Sequence, residues 1–125
     1  MTRTEHLIEE YQKQLGYYPQ EECWIIFLNS QMNVLGRQLI ARGDLTHVTV
    51  HPRDVFRGAV AINAYCFIIL HNHPSGNKTP SMADLRVARQ LMVCGEIMQI
   101  HLCDFWILTA HDHYSFHEQG ILKKQ

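Results

Sequence analysis

Apolar positions in this chain follow two different periods, and the change from one to the other marks out its elements. From Thr4 to Leu15, residues Leu7, Ile8, Tyr11 and Leu15 share one face of a helix, while Glu9, Glu10, Gln12 and Lys13 fill the other. Gly16-Tyr17-Tyr18-Pro19 ends that helix. The run Cys23-Trp24-Ile25-Ile26-Phe27-Leu28 is apolar without interruption, which predicts a strand buried on both faces near the centre of a sheet. Asn29 to Asn33 predicts a turn, and Val34 to Arg42 a second strand paired with the first as a hairpin. After Gly43-Asp44, Leu45 to Val50 alternates apolar and polar, the pattern of a strand with one wet face.

The second half repeats this vocabulary. Pro52 opens a helix from about Arg53 to Asn63, with Val55, Phe56, Ala59 and Val60 inward. Tyr65 to Leu70 is another buried strand. Ser81 to Cys94 predicts a helix with Leu85, Ala88, Leu91 and Met92 inward, ended by Gly95. Ile97 to Leu102 and Phe105 to Ala110 predict two strands, and His111-Asp112-His113 a hairpin tip. Helices and strands are interspersed, so the expected class is mixed α/β: a mixed sheet flanked by helices, as a single domain over residues 1–125.

Composition narrows the field. The chain is 46% hydrophobic, enough for a real core, and its net charge of -1 gives no support for direct nucleic-acid binding. Cys23, Cys66, Cys94 and Cys103 form no Cys-x-x-Cys pair and lie among apolar neighbours, which predicts reduced thiols. No apolar run approaches a membrane span, and the first residues lack the apolar stretch of a signal peptide, so the expected compartment is the cytoplasm.

One stretch demands chemistry: His71-Asn72-His73-Pro74-Ser75-Gly76-Asn77-Lys78-Thr79-Pro80-Ser81-Met82-Ala83-Asp84. His71 and His73 lie two apart at the end of a strand, so both point to one side while Asn72 faces away. Ser81 and Asp84 lie three apart and share a face of the first helical turn. Two imidazoles and a carboxylate suit a divalent metal, zinc first. Ser81-x-x-Asp84 also has the form of a capping box. Those two roles are compatible. His111, His113 and His117 could make a second cluster, but a polar turn is the preferred reading there.

These residues carry a family resemblance. His71-x-His73-Pro74 with Ser81-x-x-Asp84 resembles the JAMM motif of the JAB/MPN metalloproteases. His71-Asn72-His73-Pro74-Ser75-Gly76 with Pro80-Ser81 is similar to the RadC branch. So are Val50-His51-Pro52-Arg53 and the tail Tyr114-Ser115-Phe116 with Glu118 and Gly120. The resemblance runs from about Glu21 onward and implies a fold similar to that of cytidine deaminases. It implies that His71, His73 and Asp84 hold Zn²⁺ with one position left for water, the arrangement of catalytic zinc. The motif glutamate lies at the start of an early strand, which points to Glu22 as the general base, with Glu21 as its neighbour. Ser81 then stabilises an oxyanion, and Asn72 or a backbone group orients a histidine.

The implied activity is zinc-dependent hydrolysis of an amide or isopeptide in a protein or peptide substrate. Ubiquitin-like conjugates and small thiocarboxylate-type conjugates are among the classes left open. A non-catalytic interaction domain and a DNA-repair-associated role are the alternatives. Base deamination is disfavoured, because neither His-x-Glu nor Pro-Cys-x-x-Cys occurs. The chain departs from the RadC pattern in two ways. It has no room for an N-terminal helix-hairpin-helix region, and Phe105 stands where many members have His after the aspartate matching Asp104.

Overall fold

The computed structural model describes residues 2–122. In chain order the elements are α1 (Arg3–Leu15), β1 (Glu22–Leu28), β2 (Val34–Arg42), α2 (Pro52–Ala61), β3 (Cys66–Asn72), α3 (Met82–Met98), β4 (His101–Leu108) and β5 (His113–Ser115). The five strands form one sheet in the order β2-β1-β3-β4-β5. β3 and β4 are parallel, joined by α3 as the crossover, and the other pairs are antiparallel. Among the described residues, no helix is long and apolar enough to cross a membrane.

Helices cover both faces of the sheet, which explains why residues 23–28 of β1 and 66–70 of β3 are apolar without a break. On one face Cys23, Ile25, Phe27, Phe67 and Ile69 pack with Val55 and Ala59 of α2 and with Val87 and Leu91 of α3. On the other, Ile26, Leu28, Ile68, Leu70 and Trp106 pack with Leu7, Ile8, Tyr11 and Leu15 of α1. This second contact confirms the helical face read from the sequence. α1 opens with a capping box: Thr2 Oγ1 accepts from the Glu5 amide at 3.1 Å, and the Glu5 carboxylate accepts from the Thr2 amide at 2.9 Å.

The structure corrects four expectations. Leu45 to Val50 is a turn and loop, not a strand. The Asp44 carboxylate accepts from the amides of Thr46 and His47, which folds the chain back and leaves only Leu45 and Val50 buried. Val60 is 58% exposed, outside the inner face of α2. α3 runs past Gly95 to Met98 and ends at Gln99, whose φ of 57° is left-handed. Gly95 is there for close approach: a Cβ on it would lie 2.7 Å from the Ile100 carbonyl oxygen. Finally, Ile97–Leu102 and Phe105–Ala110 are not two strands, since β4 is one strand that begins at His101.

Candidate metal centre

The site forms where β3 hands the chain to α3. β3 is buried along its whole length, so its last turn of alternation carries His71 into the interior on the face of Phe67 and Ile69. α3 starts above that strand end. Asp84, in its first turn, is completely buried, and His71 and His73 are nearly so. Their ligand atoms all lie within 4.8 Å of one another. Among the described residues no other group of three such side chains converges, so His111, His113 and His117 form no second cluster.

Asp84 serves two structures at once. Ser81 Oγ accepts from the Asp84 amide at 3.0 Å, and Asp84 Oδ2 accepts from the Ser81 amide at 2.8 Å. This capping box fixes the carboxylate against the helix end, where the dipole favours negative charge. The same carboxylate meets His71 Nδ1 at 2.7 Å through Oδ1 and His73 Nε2 at 3.1 Å through Oδ2. Burial pushes the Asp84 carboxyl up, but the hydrogen bonds from His71 and His73 outweigh it and hold the group well below the usual carboxylate range. For His73, burial acts downward, yet Asp84 and the Asn77 carbonyl leave its pKa raised.

The hydrogen bonds define the tautomers. His73 Nδ1 lies 2.9 Å from the Asn77 carbonyl, which can only accept, so Nδ1 carries a proton. A neutral His73 therefore turns an Nε2 lone pair toward a carboxylate oxygen. That contact needs a cation between the two, either a proton or a metal. With Asp84 ionised, His71 Nδ1 donates to it, so a neutral His71 presents an Nε2 lone pair. His71 Nε2 is buried without a hydrogen-bond partner, and so is Glu21 Oε2, 3.7 Å away. With His71 neutral these are two acceptors facing each other, which fits a site built around an ion and its water. The donor set, with a backbone carbonyl fixing one imidazole from behind, could hold a divalent metal ion.

The structure separates Glu21 from Glu22. Glu22 Oε2 pairs with Arg42 Nε at 3.0 Å, and Glu22 Oε1 accepts from Trp24 Nε1 at 3.1 Å. Both partners lie on the α1 side of the sheet, so the expectation that Glu22 faces the histidines is not met. The reason is the strand period. Cys23 is the register partner of His71 and shares its face, and Glu21, two residues before Cys23, lies on that face too. Glu22 falls on the other. Alternation counted back from Cys23 was the available signal, but it required knowing that Cys23 pairs with His71.

Ser81 stands at the site's rim with its oxygen committed to the cap. Asn72 touches neither histidine. Its Oδ1 accepts from the Glu22 amide at 2.7 Å and its Nδ2 donates to the Gln20 carbonyl at 2.9 Å, so it bolts the loop carrying Glu21 to the end of β3. Asn77 escaped the sequence reading because it contributes a carbonyl, which no side-chain pattern reveals.

The family-like tail is structural. Buried Asp104 accepts from Trp106 Nε1 at 2.8 Å, Ser115 Oγ at 2.5 Å, and the amides of Phe105 and His117. Ser115 Oγ in turn accepts from the Glu118 amide. Phe105 stacks on Phe116 in the core with ring centroids 4.6 Å apart, away from the histidines.

Residues 1–121 match the family described as RadC-like JAB domain. A UPF0758 protein of Chlorobium chlorochromatii is 37% identical over 102 residues, covering 82% of this chain and 46% of the relative. One from Thermotoga maritima is 36% identical over 115 residues, covering 92% and 52%. One from Bacillus cereus is 40% identical over 108 residues, covering 86% and 48%. The chain spans about half the length of the curated relatives it matches. It belongs to the RadC-like JAB domain family.

Proposed function

We propose that this member of the RadC-like JAB domain family is a zinc-dependent hydrolase of JAMM type, acting on an amide or isopeptide bond of a protein or peptide. The observation that carries the reading is the facing pair of unpartnered buried atoms, Glu21 Oε2 and His71 Nε2, beside the His71, His73 and Asp84 cluster. These three residues hold the ion. When bound, a zinc ion polarises a carbonyl and lowers the pKa of water to about 7.

The chain's own residues supply the remaining steps. Glu21, not Glu22, takes the proton from the attacking water and returns it to the nitrogen of the leaving amine. The Ser81 hydroxyl, whose oxygen caps α3 but whose hydrogen remains available, donates to the oxyanion that develops on the substrate carbonyl. Asp84 keeps its charge through its hydrogen bonds, and the Asn77 carbonyl keeps His73 in the ligating tautomer. Asn72 holds the loop that aims Glu21.

The primary test is metal content. The purified chain, reconstituted with zinc and desalted, retains about one ion per molecule, while His71→Ala/His73→Ala retains none at the same protein concentration. Equal zinc in both proteins would end the reading.

A further inference from the structure

The far face of the sheet carries a cavity that the metal chemistry does not use. It has a volume of about 310 Å³ and lies between α1 and the β2-β1-β3 edge of the sheet. That is at the small end of the range for ligand pockets. Its lining combines apolar Ile26 and Leu70, aromatic Tyr11 and Trp24, and charged Glu22, Arg37 and Arg42.

A β-bulge places both arginines there. The pairing of β1 with β2 slips between Cys23 and Trp24, so Trp24 faces Leu39 while Cys23 faces Ala41. The extra residue, Ile40, packs into the opposite core with Ala41. Without the bulge, the spacing of five between Arg37 and Arg42 would turn them to opposite faces. Bulges that re-aim a side chain in this way are common beside binding sites.

The charges do not cancel. Buried Glu22 takes one bond from Arg42, through Nε. Among the described residues, both terminal nitrogens of Arg42 lack a protein acceptor. Arg37 lies 5.5 Å from the centre of the Trp24 ring, gives one bond to Gln14 and also engages the Tyr11 hydroxyl. Two guanidinium groups thus line one hollow with a single carboxylate and two aromatic rings. The guanidinium fork suits a planar anionic group.

We infer that this cavity is a binding site for a small planar monoanion, an aromatic ring system carrying a single anionic group, separate from the metal centre. The anionic group sits on the guanidinium N–H groups of Arg37 and Arg42 that Gln14, Tyr11 and Glu22 do not take. The ring replaces water against Tyr11, Trp24, Ile26 and Leu70.

The chain's two tryptophans make the test internally controlled. Trp24 lines the cavity, and Trp106 is fully buried with its N–H held by Asp104. Isotope-labelled protein, with and without zinc, is titrated with 2-naphthoate, neutral 2-naphthamide and inorganic phosphate while both indole N–H signals are followed. 2-Naphthoate is expected to move the Trp24 signal saturably and leave that of Trp106 in place, whether or not zinc is present. 2-Naphthamide, and 2-naphthoate with Arg37→Gln, are expected to bind at least about tenfold more weakly. Phosphate alone produces no comparable shift. Equal binding of the amide, equal binding of phosphate, dependence on zinc, or no saturable shift of Trp24 would each overturn the inference. The metal reading has its own test in zinc stoichiometry, so either can fail alone.

Discussion

Two neighbouring carboxylates do different work because a strand turns successive side chains to opposite faces. Glu22 is engaged by Arg42 and Trp24, whereas Glu21 Oε2 has no hydrogen-bond partner and lies 3.7 Å from the buried Nε2 of His71. Glu21→Gln should therefore keep zinc but lose hydrolysis by about 10²–10⁴-fold, the usual worth of a general base. Glu22→Gln should leave hydrolysis within a few-fold. Parallel zinc analysis and rates on one isopeptide substrate check this. The opposite ranking would return the role to Glu22. His71, His73 and Asp84 were legible because their spacing alone brings them together. The choice between Glu21 and Glu22 was not, since it depends on the strand pairing Cys23 with His71, a contact across 48 residues of chain.

At the scale of elements, the start of α3 is both a helix cap and a wall of the site. The two functions of Ser81 are separable, because glycine at an N-cap costs only a few tenths of a kcal/mol relative to serine. Ser81→Gly should therefore barely change the melting temperature, yet lower the hydrolysis rate by about 10²-fold if the hydroxyl donates to the oxyanion. A variant with unchanged rate would leave Ser81 as a cap alone. Element types were readable wherever packing enforces one period, as in α1, β1 and β3. They failed where local bonding or close contact decided instead. Asp44 converts the alternating Leu45–Val50 segment into a turn through its own carboxylate. Gly95, a stop signal on paper, is a contact point inside a longer helix.

Across the whole molecule, an ion held at the proposed site would link binding to folding, and His73 and Asp84 predict opposite pH trends without it. Without metal, His73 has a raised pKa. Its contribution to stability is complete below the unfolded value of about 6.5 and is lost as pH rises through the folded value. Asp84 has a lowered pKa, so its contribution is present above about 3.9 and is lost as pH falls through the folded value. Zinc needs the imidazoles unprotonated, so the stabilisation it adds grows as pH rises, reaching about 2.7 kcal/mol at a hundredfold excess over Kd. Melting curves from pH 5.5 to 8, with zinc and with chelator, should diverge toward the alkaline end, at roughly the imidazole range. Parallel curves would contradict the linkage.

The layered arrangement has one more consequence. Since adjacent acids at the head of β1 serve opposite layers, the frame of that strand decides which of them is the working group. Inserting a single alanine between Glu22 and Cys23 would slide Glu22 into the place Glu21 now holds. In a chain already disabled by Glu21→Gln, that insertion should restore turnover, and its failure to do so would mean that more than the parity of the strand selects the acid.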